Sequence, residues 1–285
     1  MKLLPGNVGL ALLCIASSVQ AAGEPPRTPK LVFDEQRSES NFEFVFSAPD
    51  EPYLLKLRSR FRLDVVVADA TTDLGRLKAI NAWVHQQFRH DGQNEPTGTD
   101  PLSILEEAAT GEDFRCVEYA SVVSGCLNAI GIPSRIVELK TRGCERSTGG
   151  AGHVLAEAYL RDLEKWALVD PQWDVIVMED EVPLNLVELQ RALSAAGADV
   201  RVVSDNPDAD MWLDWIAQFL FYLDVRFDQR VTAEGLKWER PRLMLVPIGA
   251  KKPTLFQKHP LPNVSYTHSS ADFYEPPKIM TADEK

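Results

Sequence analysis

The stretch that most constrains this chain is Phe114-Arg115-Cys116-Val117-Glu118-Tyr119-Ala120, which opens an apolar run reaching Ile130. Cys116, Ala120, Val123 and Leu127 recur at i, i+4, i+7 and i+11, one face of a 3.6-residue period. The run therefore predicts a buried helix with a cysteine in its first turn. Gly131 and Pro133 follow at the positions where a helix is stopped. A thiol at a helix N-terminus sits at the positive end of the backbone dipole, which favours thiolate over thiol. Taken alone, a cysteine in such a run is more often a small core residue. What changes the balance lies further along.

The N-terminus bears on the compartment, and so on the cysteines. Lys2 precedes an apolar stretch from Gly9 to Ala16, and Val19-Gln20-Ala21 has the small-residue spacing of a cleavage site. Residues 1–21 thus read as a cleavable signal peptide, too short to span a bilayer as a stable helix. Leu13 before Cys14 argues against lipidation. The expectation is a periplasmic or secreted protein with no stable membrane insertion after cleavage. Cys116, Cys126 and Cys144 then remain, an odd number for an oxidising compartment. Ten residues apart on one helix, Cys116 and Cys126 would lie roughly 15 Å apart along the axis, too far to bridge. At least one thiol stays free or pairs between molecules.

At 45% hydrophobic and 25% charged residues, the 285-residue chain has ample material for a core. Its formal charge of −12 repels nucleic acid and anionic lipid, so neither is an expected partner.

Taken in order, Gly23 to Pro29 is a proline-rich leader. Phe42, Phe44 and Phe46 alternate as in a strand. Helical spacing follows over 52–63, and again in the stripe Leu74, Leu77, Asn81, Val84 and Phe88, with Trp83 beside it. Thr99 or Asp100 caps a third helix, with Pro101 first and Gly111 after it. Beyond Pro133 the pattern predicts strands over 135–140, 153–160 and 165–170, a helix over 183–197 and a strand near 200–203. Residues 211–227 read as a helix passing into a strand, and 243–248 as the last strand. The aromatic stripe Trp212, Trp215 and Phe219 reads as core. The acidic run Asp205-Asn206-Pro207-Asp208-Ala209-Asp210 lacks the glycine and terminal glutamate of a calcium loop and reads as a solvated turn. No histidine or cysteine spacing suggests a zinc site, so neither metal nor cofactor is expected.

The strands over 153–160 and 165–170 are separated by Arg161-Asp162-Leu163-Glu164, a connection suited to an antiparallel hairpin. With Leu160 facing Lys165, Leu155 faces Asp170. His153 and Asp170 then share a face as diagonal neighbours, roughly 7–8 Å apart between backbones and within side-chain reach. Cys116, His153 and Asp170 would supply a nucleophile, a base and a group that orients the base.

Phe114-Arg-Cys116-Val-Glu-Tyr119 and Gly131-Ile-Pro-Ser-Arg135 resemble the nucleophile helix of the transglutaminase-like superfamily. Gly150-Ala-Gly-His153-Val-Leu-Ala-Glu157 and Trp166-Ala-Leu-Val-Asp170-Pro171 are similar to its histidine and aspartate strands. The resemblance runs from about Leu74 to Trp173 and is nearest to bacterial exported members. It implies an α+β, papain-like core, with the nucleophile helix packed on an antiparallel sheet and a triad on Cys116, His153 and Asp170. The expected layout is a signal peptide (1–21), an N-terminal extension packed on the core (22–70), a transglutaminase-like domain (71–250) and a C-terminal tail (251–285).

For the oxyanion, the backbone N–H of Cys116 is a natural donor. Asn94, Trp83, or a side-chain amide from Gln86 or Gln87, is the candidate second donor. Arg115 and Glu118 either orient substrate or pair with each other. The function expected is an exported thiol enzyme acting on protein or peptide amide bonds, by hydrolysis or transamidation. The rival is a catalytically silent fold used for binding or scaffolding in the envelope. The sequence does not set an oligomeric state.

Overall fold

The structure is a computed structural model that describes residues 27–237 and 239–279. The signal-peptide expectation for residues 1–21 lies outside them. No helix among the described residues is long and apolar enough to cross a membrane.

A six-stranded sheet organises the fold, in the spatial order Val264–Thr267, Arg242–Leu245, Tyr222–Arg226, Ser134–Lys140, Gly152–Leu160, Lys165–Val169. Neighbours are antiparallel except at one edge, where Val264–Thr267 runs parallel to Arg242–Leu245. Apart from that one pair the sheet is antiparallel, as expected, and the proline-studded segment after residue 251, expected as a tail, supplies the edge strand and a short helix, Ser270–Phe273. Lys278–Ile279 also pairs with Val45–Phe46.

Each face of the sheet carries a core. Ala156, Ala158, Leu160, Ala167 and Val169 alternate onto one face, beneath the helix Cys116–Ala129. Small alanines there leave room for its backbone. Against the same helix pack Pro52–Arg60, Asp73–His85 and Pro101–Ala108. The opposite face presents Val137, Leu139, Leu155, Trp166, Leu168 and Leu223 to the helices Leu186–Leu193 and Trp212–Ile216, with Phe44 and Phe46.

The cysteine helix is wrapped more fully than its predicted stripe: every residue from Glu118 to Ala129 is buried. A single apolar stripe describes a helix packed on one side, whereas this one has a sheet below and helices around it. Gly125 shows how close they come, since a Cβ there would stand 2.6 Å from Pro101 Cγ. The helix stops as its sequence predicts. Gly131 takes φ +82°, its N–H bonds to Asn128 O at 3.0 Å, and the Ile132 N–H bonds to Leu127 O at 2.9 Å. These are the paired bonds of a glycine-terminated helix. Asp100 caps Pro101–Ala108, accepting from the N–H groups of Leu102 and Ser103.

The histidine hairpin has the register deduced from its turn: Leu160 faces Lys165, and the pairing runs back to Ala156 opposite Val169. The Pro207–Met211 turn of 3₁₀ helix, capped by Asn206, and then Trp212–Ile216 lead into Tyr222–Arg226, the helix-to-strand passage expected there.

Candidate active site

Cys116 is the first residue of its helix and is partly exposed, unlike the buried Cys126 and Cys144. All three are free thiols. Burial pushes the Cys126 thiol well above its ordinary range, which leaves it inert. The helix start is fastened from outside. Arg115, its cap residue, donates from Nε and Nη2 to buried Glu118 at 3.1 and 2.8 Å, and pairs with Glu95 through Nη1. Glu118 also accepts from the Arg115 backbone N–H at 3.2 Å. The two charges flanking the cysteine are therefore committed largely to each other.

His153, the second residue of its strand, is 2% exposed. Its Nε2 lies 2.7 Å from Asp170 Oδ2, and its ring is close enough to Cys116 to feel the sulfur. With Nε2 committed to the carboxylate, Nδ1 is the nitrogen left for sulfur. Burial disfavours the imidazolium, but the Asp170 charge and hydrogen bond, reinforced by Cys116, outweigh it and push His153 up to about 10. A positive ring beside a sulfur favours thiolate.

Asp170 is fully buried at the mouth of a tight turn. Its backbone N–H and C=O both bond to Val175, at 2.9 Å each, and its Oδ1 accepts from the Gln172 N–H at 3.2 Å. Asp174 closes the turn at φ +55°. Its Oδ1 accepts from Asn81 Nδ2 at 2.8 Å, while His85 Nδ1 donates to Pro171 O at 2.9 Å. From the other side, Asn206 Nδ2 and the Asp205 N–H bond to Trp173 O and Asp174 Oδ2 at 3.2 Å each. The acidic run thus secures the aspartate turn.

Among the candidate second oxyanion donors, Asn94 and Gln87 already donate to other partners. Asn94 turns its Nδ2 to Glu112 Oε2 and Asp113 O, at 3.1 and 2.9 Å. Trp83 packs against Phe61, with ring centroids 6.0 Å apart. Gln86 is exposed at the end of its helix, and Gln87 donates back to Trp83 O at 2.7 Å.

Sequence reading passed over the aromatic residues that enclose the imidazole. Trp212, fully buried, donates from Nε1 to Asp170 Oδ2 at 2.8 Å, so one oxygen accepts from both the indole and His153. Trp215 stands edge-on to His153 at 4.8 Å between centroids, and Phe219 at 6.4 Å. Helical spacing marked all three as core; Trp212 and Phe219 are buried in it, and Trp215 packs partly buried against it. The signal that was available was Trp212's polar atom, which a buried indole must satisfy. His90 lies close enough to feel His153; partial desolvation and then that positive charge lower it.

Trp212→Phe keeps an aromatic ring but deprives a buried carboxylate of a donor, so unfolding in urea should show a loss of about 2 kcal/mol. A loss below about 0.5 kcal/mol would mean that water replaces the indole.

No protein of curated function matches the chain. Among solved structures, one transglutaminase is similar at 19% identity and TM-score 0.31, over 41% of this chain and 31% of that one. A candidate cysteine protease from Cytophaga hutchinsonii aligns at 16% identity and TM-score 0.30, over 54% of this chain and 52% of its own. Red sea bream transglutaminase aligns at 15% and 0.29, over 41% and 25%. The chain thus spans between a quarter and about half of each of these proteins. Residues 62–171, which hold Cys116, His153 and Asp170, match the model of the Transglutaminase-like superfamily.

Proposed function

We propose that the protein is a thiol enzyme that acts on protein or peptide amide bonds through an acyl-cysteine intermediate. One observation carries the reading: the His153 imidazole is hydrogen-bonded to the buried Asp170 carboxylate and lies beside the partly exposed Cys116. The Cys116 sulfur attacks the substrate carbonyl carbon, and the oxygen that becomes negative faces the Cys116 N–H, which has no acceptor within its own helix. His153 passes its Nδ1 proton to the leaving nitrogen, the C–N bond breaks, and a thioester remains. An incoming water or primary amine then gives a proton back to His153 and displaces the sulfur. Water yields a carboxylic acid; a lysine amine yields a cross-link. Asp170 keeps the ring oriented and stabilises its positive form.

Hydrolysis is the working choice between the two acceptors. We place the enzyme outside the cytoplasm on the strength of residues 1–21, which N-terminal sequencing of the mature protein checks. The test of activity is incubation with a peptide library, with and without a primary amine, comparing wild type with Cys116→Ala. Cleavage or amine incorporation that depends on Cys116 selects the acceptor. Silence in both arms favours the rival, a binding or scaffolding protein that retains the fold without turnover.

A further inference from the structure

The loop between Lys140 and Gly152 leads directly into the histidine strand, and beside it lies a cavity of about 610 Å³, within the range of ligand pockets. Phe221 and Tyr222 line it, with Arg142, Arg146 and Lys251. Lys251 is paired: its Nζ lies 2.6 Å from Glu145 Oε2, and Glu145 also accepts from the Thr254 N–H at 2.9 Å. Among the described residues neither Arg142 nor Arg146 meets a carboxylate, although the chain as a whole carries −12. Arg142 instead stands 5.7 Å from the centre of the Phe221 ring. Two exposed guanidinium groups without counter-ions, over an aromatic floor, are out of keeping with so acidic a protein.

Their position ties them to the candidate active site. Leu139 is opposite His153 in the ladder, and the Thr141 N–H bonds to Ala151 O at the ladder's end. Arg142 is thus three residues beyond the level of His153, about 10 Å along the strand. On the other wall, Phe221 follows shortly after Phe219, whose ring faces His153. A peptide with its reacting carbonyl at Cys116 would cover that distance in about three extended residues.

We propose that this cavity is a docking subsite for the carboxylate side chains of an acidic peptide segment, about three residues from the residue whose carbonyl is attacked. The choice of a peptide rests on the activity proposed above; recognition of its acidic group rests on the two arginines and the aromatic floor. Arg142 and Arg146 would take the carboxylates, and Phe221 the aliphatic parts of the same side chains.

The test is binding without turnover. Full-length Cys116→Ala is titrated with a fluorescent glutamate-rich peptide and with its glutamine twin, reading anisotropy at low and high salt. The acidic peptide should bind about tenfold tighter, with an advantage that fades as salt rises. Arg142→Glu/Arg146→Glu should remove that advantage. Both side chains are exposed, so the fold should tolerate the change; Arg142→Gln/Arg146→Gln provides a milder version with a loss of several-fold. Equal binding of the two peptides, or undiminished binding by either double variant, overturns the proposal. Neither outcome depends on catalysis, so an inactive enzyme with acid-selective binding and an active enzyme without it are separable results.

Discussion

His153→Ala should slow iodoacetamide labelling of Cys116 at pH 6 by about tenfold or more. The imidazole lies beside Cys116 and is held at about 10, so at pH 6 it is a fixed positive charge there. Removing it takes away the charge that favours the reactive thiolate, so labelling slows. The reduced nucleophilicity of a stabilised thiolate offsets part of this gain, which is why tenfold is the expectation. Cys126 and Cys144 are buried and should remain unlabelled, so mass spectrometry reads one site. On any substrate that the wild type turns over, the same variant should lose about 10³-fold or more in kcat/KM.

Asp170→Asn tests the other half of the pair. The carboxylate does most to raise His153 against burial, and without its charge only Cys116 opposes burial. The imidazole should therefore titrate below its ordinary value, near 6.5, instead of staying protonated through pH 8. Imidazole resonances followed by NMR across pH 5–9 read this directly. A labelling rate unchanged by His153→Ala, or a ring already neutral at pH 7 in the wild type, would remove the basis for an activated sulfur.

The largest effect on stability is expected from Glu157→Ala. Arg135 and Glu157 face each other across adjacent strands and are both fully buried. Arg135 donates to Glu157 Oε2 from Nη2 at 2.7 Å and from Nε at 3.1 Å, and from Nη1 to Phe273 O at 2.6 Å. Its guanidinium also lies 4.3 Å from the centre of the Trp166 ring and 4.7 Å from that of Phe273. Glu157 Oε1 accepts from the Leu186 N–H at 3.0 Å and the Tyr274 hydroxyl at 2.9 Å. The pair thereby fastens the helix at 270–273 and the start of the helix at 186 to the back of the histidine strand. Truncating Glu157 leaves a cation without its counter-charge in a dry site, which costs about 3–5 kcal/mol. Urea unfolding should show that loss. Replacing both residues, as Arg135→Met with Glu157→Leu, should cost much less, because no charge is stranded. A loss below about 1 kcal/mol for Glu157→Ala alone would show that water reaches the site.

Much of the candidate site was legible because its governing rules are local. The period of the run after Phe114, the stop at Gly131 and the short Leu160–Lys165 connection each act within a few turns or one hairpin. Together they specify a helix with Cys116 at its head and a register that sets His153 beside Asp170. The oxyanion candidates fared differently: Asn94, Trp83 and Gln86 lie near the right helix in sequence, but nearness does not set a side chain's direction.

What tertiary structure alone decided is which distant segments meet. Trp212 reaches Asp170 across 42 residues of chain, and its helical spacing would look the same if it packed against any apolar surface. Val264–Thr267 completes the sheet from a segment whose prolines suggested a tail. Arg135 and Glu157 could be read as surface charges until the strands carrying them are laid side by side. Periodicity, caps and turns are properties of neighbouring residues, so one sequence suffices to expose them. The partner of a buried indole or a buried charge depends on how whole layers pack, and that is settled only when the chain is folded.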